Sequence, residues 1–297
     1  MNQIIVFLKR HSLMIGIILM FLLTWPIDLA NSGLMPFKVP FLVYIFLGWG
    51  FIIASLVMTG LTLGKSGILA LLKRYLIWRV DWQWYLIAFF LIPGLSFLGI
   101  LINAAYTRTP IDFSTVLAYK IFGPSANLLL LAVPFFLFDA IANGEEMGWR
   151  GYVLPRLQAK YNALTSSLIL APIWALWHLP KFLTHWDTVT FLWFVVDVLA
   201  KTILMTWMLN NTRGSMLLVT LFHASFNTAG VLLPIANNLS NANMYMRAII
   251  STLELLVAVI VALTSGPARL SRTEEKQVEL EQNEATSHSR IYEGVLQ

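Results

Sequence analysis

Long apolar runs separated by short polar segments make up most of this chain. About eight runs approach the roughly 20 residues that a helix needs to cross a bilayer. None shows the period-two alternation of a membrane β-strand. The runs lie near 12–29, 39–61, 84–104, 127–150, 164–182, 191–209, 215–235 and 245–263. The pattern predicts an all-α, polytopic membrane protein with about eight transmembrane helices.

The basic residues predict the orientation of these helices. Cytoplasmic loops carry an excess of Lys and Arg. With the N-terminus placed in the cytoplasm, most basic residues fall on the cytoplasmic side. The opposite side then holds Lys38, Arg108, Lys120, Lys181 and Arg247. An even number of spans with both termini inside follows from this asymmetry.

Composition agrees with the membrane interpretation. The chain is 58% hydrophobic and 12% charged, whereas a soluble domain carries roughly 25% charged residues. The net charge of +5 comes from residues beside apolar runs, so we expect membrane lipids and no nucleic acid as partners. The chain has no cysteine, which excludes disulfides and thiolate chemistry.

The two ends of the chain differ. The first apolar run is longer than the 7–15 residues of a signal-peptide core, so we interpret it as a retained helix. Residues 1–264 form the predicted helical bundle. Residues 265–297 are rich in Glu, Gln, Ser and Arg, and we expect a polar, disordered cytoplasmic tail.

Two adjacent carboxylates, Glu145 and Glu146, lie inside the fourth apolar run. An acid at membrane depth costs about 2.5–3.5 kcal/mol on insertion scales, so such residues usually mark a functional site. Glu146 and Arg150 have i, i+4 spacing and can pair on one helix face. Glu145 is rotated by about 100° from its neighbour. We therefore predict a structural Glu146–Arg150 pair and a reactive Glu145.

Three further polar residues lie in later apolar runs. His178 follows Trp174 by one helical turn, and His223 and Asn227 share a face of the seventh run. Counting about 1.5 Å per residue from the ends of the runs places these residues and Glu145 near the middle of the bilayer. We predict that the four side chains meet there.

These side chains suit hydrolysis of an amide. Glu145 with His178 can hold and deprotonate a water molecule, while His223 and Asn227 can donate to the developing oxyanion. Glu145, His178 and His223 are also a reasonable ligand set for a divalent metal such as zinc. The residues alone leave both sources of the activated water open, with a slight preference against an obligatory metal.

The three motifs in this order resemble the CPBP family, the CAAX-protease and bacteriocin-processing intramembrane endopeptidases, also called the Abi family. They are Glu-Glu-x-x-x-Arg, aromatic-x-x-x-His and His-x-x-x-Asn, and the core of the resemblance is near 125–235. The resemblance implies water activation by Glu145 and His178, and oxyanion binding by His223 and Asn227. It also implies a membrane-associated or lipidated protein or peptide as substrate, and a bacterial cell membrane as location.

Other buried polar residues have simpler interpretations. Asp139 can tie two helices together, Asp197 and Lys201 can neutralise each other at i, i+4, and Glu254 stands alone in the last run. His185 is interpreted as an interfacial loop residue.

Two rival functions remain. One is a non-enzymatic immunity factor or scaffold in which the polar cluster only locks helices together. The other is a proton-relaying transporter, which the absence of a visible repeat disfavours.

Overall fold

The structure, a computed structural model, describes residues 3–40, 43, 46–183, 187–235 and 244–271. The described chain is helical and contains no strand, which confirms the predicted all-α fold. The helices are α1 Gln3–Arg10, α2 Ser12–Asn31, α3 Trp49–Lys73, α4 Trp82–Thr107, α5 Leu117–Phe122, α6 Leu128–Ala142, α7 Leu154–Gln158, α8 Ala163–Trp177, α9 Pro180–Leu183, α10 Thr188–Asn211, α11 Met216–Leu232 and α12 Met244–Ser265.

Within the described residues, five helices are long and apolar enough to cross a membrane, and a sixth span results if α6 and the bent segment after it are counted together. Leu129, Leu130 and Leu263 are more than 70% exposed, as expected for side chains that face lipid. The protein is therefore an integral membrane protein. Helices α8 and α11 have 15 and 17 residues, so the count of eight spans and the orientation stay predictions.

The predicted single helix over 127–150 is broken. Helix α6 ends at Ala142, and the chain restarts at an angle of 44°. The side chain of Asn143 accepts a hydrogen bond of 3.0 Å from the Glu145 N–H, which begins the new segment. A Cβ on Gly144 would lie 2.3 Å from the carbonyl oxygen of Gly48. Only glycine permits this contact, which brings the residue before Glu145 against the backbone just before α3.

The segment after this break is a π-helix, Met147–Val153, whose residues are all buried. The i→i+5 pattern widens the turn and is often found at functional sites. Arg74, at the end of α3, donates from Nη2 to the carbonyl of Arg150 at 3.5 Å and from Nη1 to that of Gly151 at 3.4 Å. The cation thus satisfies two carbonyl groups of the π-helix.

The longer helices of the bundle pack against one another. Helix α10 packs most extensively on α12 and α8, and α11 packs on α4 and α6. The predicted pairing of Lys201 with Asp197 on α10 is confirmed, and Glu254 of α12 lies 3.0 Å from the Lys201 Nζ. Glu254 is therefore not isolated, and this ion cluster connects α10 to α12.

Asp187 caps the N-terminus of α10. The Thr190 hydroxyl and the backbone N–H groups of Thr190 and Val189 donate to its carboxyl and lower its pKa. At the other end of the bundle, the carbonyl of Ala268 accepts a 2.9 Å hydrogen bond from the Ala163 N–H, so the chain just after α12 lies against α8. His185 and the tail from residue 272 onward lie outside the described residues.

Candidate active site

Trp174, on α8, connects two of the predicted site residues. Its indole Nε1 donates a 2.9 Å hydrogen bond to Oε2 of Glu145. Its backbone carbonyl lies 3.0 Å from Nδ1 of His178. The hydrogen bond to Glu145 was not foreseen, because it joins residues 29 positions apart on different helices.

The predicted run over 164–182 implied that His178 lies inside a helix. In the structure it lies at the C-terminus of α8. Since a carbonyl oxygen can only accept, Nδ1 of His178 must donate to Trp174, which leaves Nε2 without the ring proton in a neutral imidazole. The ring packs edge-on against Trp177 at 4.6 Å and against Phe194 at 5.0 Å. These rings restrict the orientation of Nε2.

Glu146 and Arg150 pair as predicted, with Nη1 3.0 Å from Oε1, and both residues are 0% exposed. The same Oε1 lies 2.7 Å from Nδ1 of His223. Glu146 therefore holds a predicted site residue in addition to its partner arginine. The guanidinium also lies over the ring of Trp174, 4.2 Å from its centroid, and donates to Thr202 at 3.4 Å. Two of the three motifs are thus joined by one buried charge network.

Asn227 lies one turn beyond His223 on α11. Its Nδ2 is 3.2 Å from each carboxylate oxygen of Asp139 on α6. The prediction that Asp139 ties two helices together is confirmed by this contact. One amide hydrogen points toward Asp139, so the second amide hydrogen and Oδ1 are the groups left for another partner.

These contacts bring the predicted residues into one region. Glu145 and His178 share Trp174, and the charges that interact with His223 are those of Glu146, Glu145 and Asp139. Across the described residues, no three His, Asp or Glu side chains are arranged to hold a metal ion. Glu145, His178 and His223, the ligand set considered for zinc, do not form such a group.

One acid near this region was missed by sequence analysis. Asp28, on α2, is 0% exposed, and its charge interacts with Glu145 and Lys181. The available signal was the one used for Glu145, an acidic residue inside an apolar run. Position 28 falls at the end of the first run, where a polar residue looks like the start of a loop.

The fold and these contacts define a helical membrane protein with a buried carboxylate–imidazole site. Residues 125–229 match the family model described as type II CAAX prenyl endopeptidase, Rce1-like. Over 164 residues the chain is 30% identical to CAAX prenyl protease 2 of Methanococcus maripaludis, an alignment that covers 51% of this chain and 57% of that protein. The chain thus spans a little over half the length of the curated relative it matches. Both findings confirm the resemblance to the CAAX-protease family that the three motifs indicated.

Proposed function

We propose that this protein is an intramembrane endopeptidase of the CAAX prenyl type. The observation that carries the proposal is the convergence of Glu145 and His178 on Trp174, beside a His223 held by Glu146. The family match over residues 125–229 contains all of these residues. A bacterial cell membrane is the proposed location.

Glu145 is the proposed general base. Glu146 and Arg150 neutralise each other, whereas the Glu145 carboxylate accepts a hydrogen bond from an indole and is partly exposed. A carboxylate oxygen not used by Trp174 is available for water. Nε2 of His178, which carries no proton in the neutral imidazole, is a second acceptor for that water. Together the two acceptors can orient a lone pair of the water oxygen toward a carbonyl carbon.

His223 and Asn227 are the proposed oxyanion donors. With Nδ1 of His223 bonded to Glu146, only Nε2 can face a substrate. The Glu146 carboxylate accepts from Nδ1–H and orients the ring, and it stabilises the imidazolium form, in which Nε2 also carries a proton and can donate. The second amide hydrogen of Asn227 completes the pair of donors.

The proposed substrate is a membrane-associated protein whose C-terminal Cys-aliphatic-aliphatic-X sequence carries an isoprenyl group on the cysteine. The name of the matched family and that of the archaeal relative support this class. Hydrolysis after the modified cysteine would release a tripeptide.

The test uses the full chain in detergent or in vesicles, with a fluorogenic farnesylated peptide ending Cys-Val-Ile-Ser. Glu145→Gln keeps the side-chain shape but removes the base, and should lower kcat by about 10²–10⁴-fold. Asp112→Asn, on an exposed loop, is the matched control and should keep full activity. Full activity of Glu145→Gln in a correctly inserted protein would refute the assignment.

A non-enzymatic role remains the second candidate, because the Glu146–Arg150–His223 network also locks the π-helix to α11. Under that hypothesis Glu145→Gln retains the biological effect of the wild-type chain. Loss of the effect together with loss of cleavage favours the peptidase.

A further inference from the structure

A surface cavity of about 270 Å³ lies beside the end of α3. Its walls contain none of the residues of the candidate active site. They consist of Leu76, Ile77, Trp78, Arg79 and Arg213. One water molecule takes up roughly 30 Å³ of the liquid, so the cavity has room for a group several times larger, such as a phosphate diester. Apolar and cationic side chains thus meet at one opening of the surface.

Both arginines of this cavity lack an acidic partner among the described residues. Neither forms a salt bridge, and Asp81, close to Arg79 along the chain, forms none either. Nη2 of Arg213 donates to the backbone carbonyl of Arg79, and the Arg79 guanidinium lies over the ring of Trp78, 5.0 Å from its centroid. Both arginine side chains are exposed. Two guanidinium groups at one cavity, with no carboxylate between them, suit the oxygens of a phosphate group.

Hydrogen bonds hold together the two chain segments that form the cavity. Nε of Arg74 donates to the carbonyl of Gly214 at 2.9 Å, and the Ser215 hydroxyl donates to the carbonyl of Ile77 at 2.6 Å. Arg213 lies between these contacts with a left-handed backbone, φ 56°. That conformation is sterically costly for a residue with a side chain, and helix ends usually place glycine there. An arginine at this position agrees with a use for its side chain.

The cavity lies at the ends of helices that can cross a membrane. One candidate span ends at Leu76, the next begins at Trp82, and a third ends at Asn211, just before Arg213. Leu76 and Trp82 are each 74% exposed, and tryptophan is enriched where a membrane meets water. The predicted orientation places Arg79 and Arg213 on the cytoplasmic side, where anionic lipids give the membrane surface a negative potential. The nearest phosphate groups are therefore those of lipids.

We propose that Arg79 and Arg213 bind the phosphate group of an anionic phospholipid, while Leu76 and Trp78 contact the apolar part of the same lipid. A free phosphate ester offers the same oxygens, but the exposed leucine and the position at the span ends favour the lipid. Arg74 connects this region to carbonyl groups of the π-helix, so the bound lipid also stabilises the support of that helix. The site does not depend on the proposed peptidase activity.

The experiment measures binding of dioctanoyl phosphatidylglycerol to the full chain in an uncharged detergent, from the rise of the unfolding midpoint with lipid concentration. Dioctanoyl phosphatidylcholine and glycerol phosphate are the comparison ligands. We expect phosphatidylglycerol to bind the wild type more tightly than either. Arg79→Gln/Arg213→Gln should raise its Kd at least about tenfold, because charge-assisted hydrogen bonds to the phosphate are lost.

Lys38→Gln/Arg108→Gln is the matched control. It removes the same charge from exposed positions outside the cavity, and Arg108 also has a left-handed backbone, φ 55°. The control should keep the wild-type Kd. An unchanged Kd in Arg79→Gln/Arg213→Gln, or an equal loss of affinity in the control, overturns the inference. Glycerol phosphate or phosphatidylcholine binding as tightly as phosphatidylglycerol overturns it too. If the double variant fails to fold, Arg213→Gly, which relieves the left-handed backbone, gives the same comparison.

Discussion

Glu146 has two buried partners, and a pair of substitutions can separate their contributions. Glu146→Leu leaves the guanidinium of Arg150 buried without its carboxylate. Removing one member of a buried ion pair costs about 3–5 kcal/mol, a large fraction of the roughly 5–15 kcal/mol that stabilises a typical folded domain. The single variant should therefore be strongly destabilised. The thiol-free chain allows the unfolding midpoint to be followed in detergent without interference from disulfides.

The double variant Glu146→Leu/Arg150→Met removes both charges and replaces them with apolar side chains of similar length. Apolar replacement of a complete buried pair is often neutral or stabilising, so most of the lost stability should return. Activity should not return, because Nδ1 of His223 still lacks the oxygen that lies 2.7 Å away in the native protein. Stability is measured by the unfolding midpoint, and activity by kcat on the prenylated peptide.

Two outcomes would contradict this reasoning. A double variant as unstable as Glu146→Leu would mean that the ion pair is not what the single substitution breaks. A double variant with wild-type kcat would mean that orientation of His223 by Glu146 is dispensable. Arg150→Met alone, which keeps the Glu146–His223 contact, is the matched control and should retain more activity than the double variant.

Three further predictions concern neighbouring features. Trp174→Phe keeps the ring over the guanidinium but removes the indole donor to Glu145, and should lower kcat by about tenfold or more; an unchanged kcat would show that the donor is unimportant. Gly144→Ala places a Cβ 2.3 Å from a backbone oxygen at the start of α3, so the unfolding free energy should fall by about 1–3 kcal/mol, which a lower unfolding midpoint would show. The folded-state pKa of the Asp187 carboxyl is lowered, so its stabilising effect is fully present above the unfolded value of about 3.9 and is lost as pH falls through the folded value. Asp187→Ala should remove this part of the acid dependence, which a pH series of unfolding midpoints would detect.

The ion pairs that could be predicted from the sequence are the local ones. The Glu146–Arg150 pair and the Asp197–Lys201 pair both have i, i+4 spacing, and both form. Helical geometry alone brings such side chains together. The break at Asn143–Gly144 was missed, because the close approach of Gly144 to the carbonyl of Gly48 joins positions that are 96 residues apart (144 − 48) along the chain.

The candidate site combines local and distant contributions. Three motifs in order identified Glu145, His178, His223 and Asn227, since their spacing and their position inside apolar runs are readable from the sequence. Their partners were not readable. The acceptor of His223 is 77 positions distant, and the acceptor of Asn227 is 88 positions distant.

By itself, the sequence determined that the protein is a helical membrane protein with acids and imidazoles in its apolar segments. Hydrophobic periodicity and the high energy of burying charge make those features visible in one dimension. Only the tertiary structure decided that Glu146 contacts both Arg150 and His223, and that Trp174 joins Glu145 to His178. It also decided that Asp28 has no donor among the described residues. The physical reason is that hydrogen bonds between helices depend on packing and on breaks in the helices, which no local spacing rule specifies.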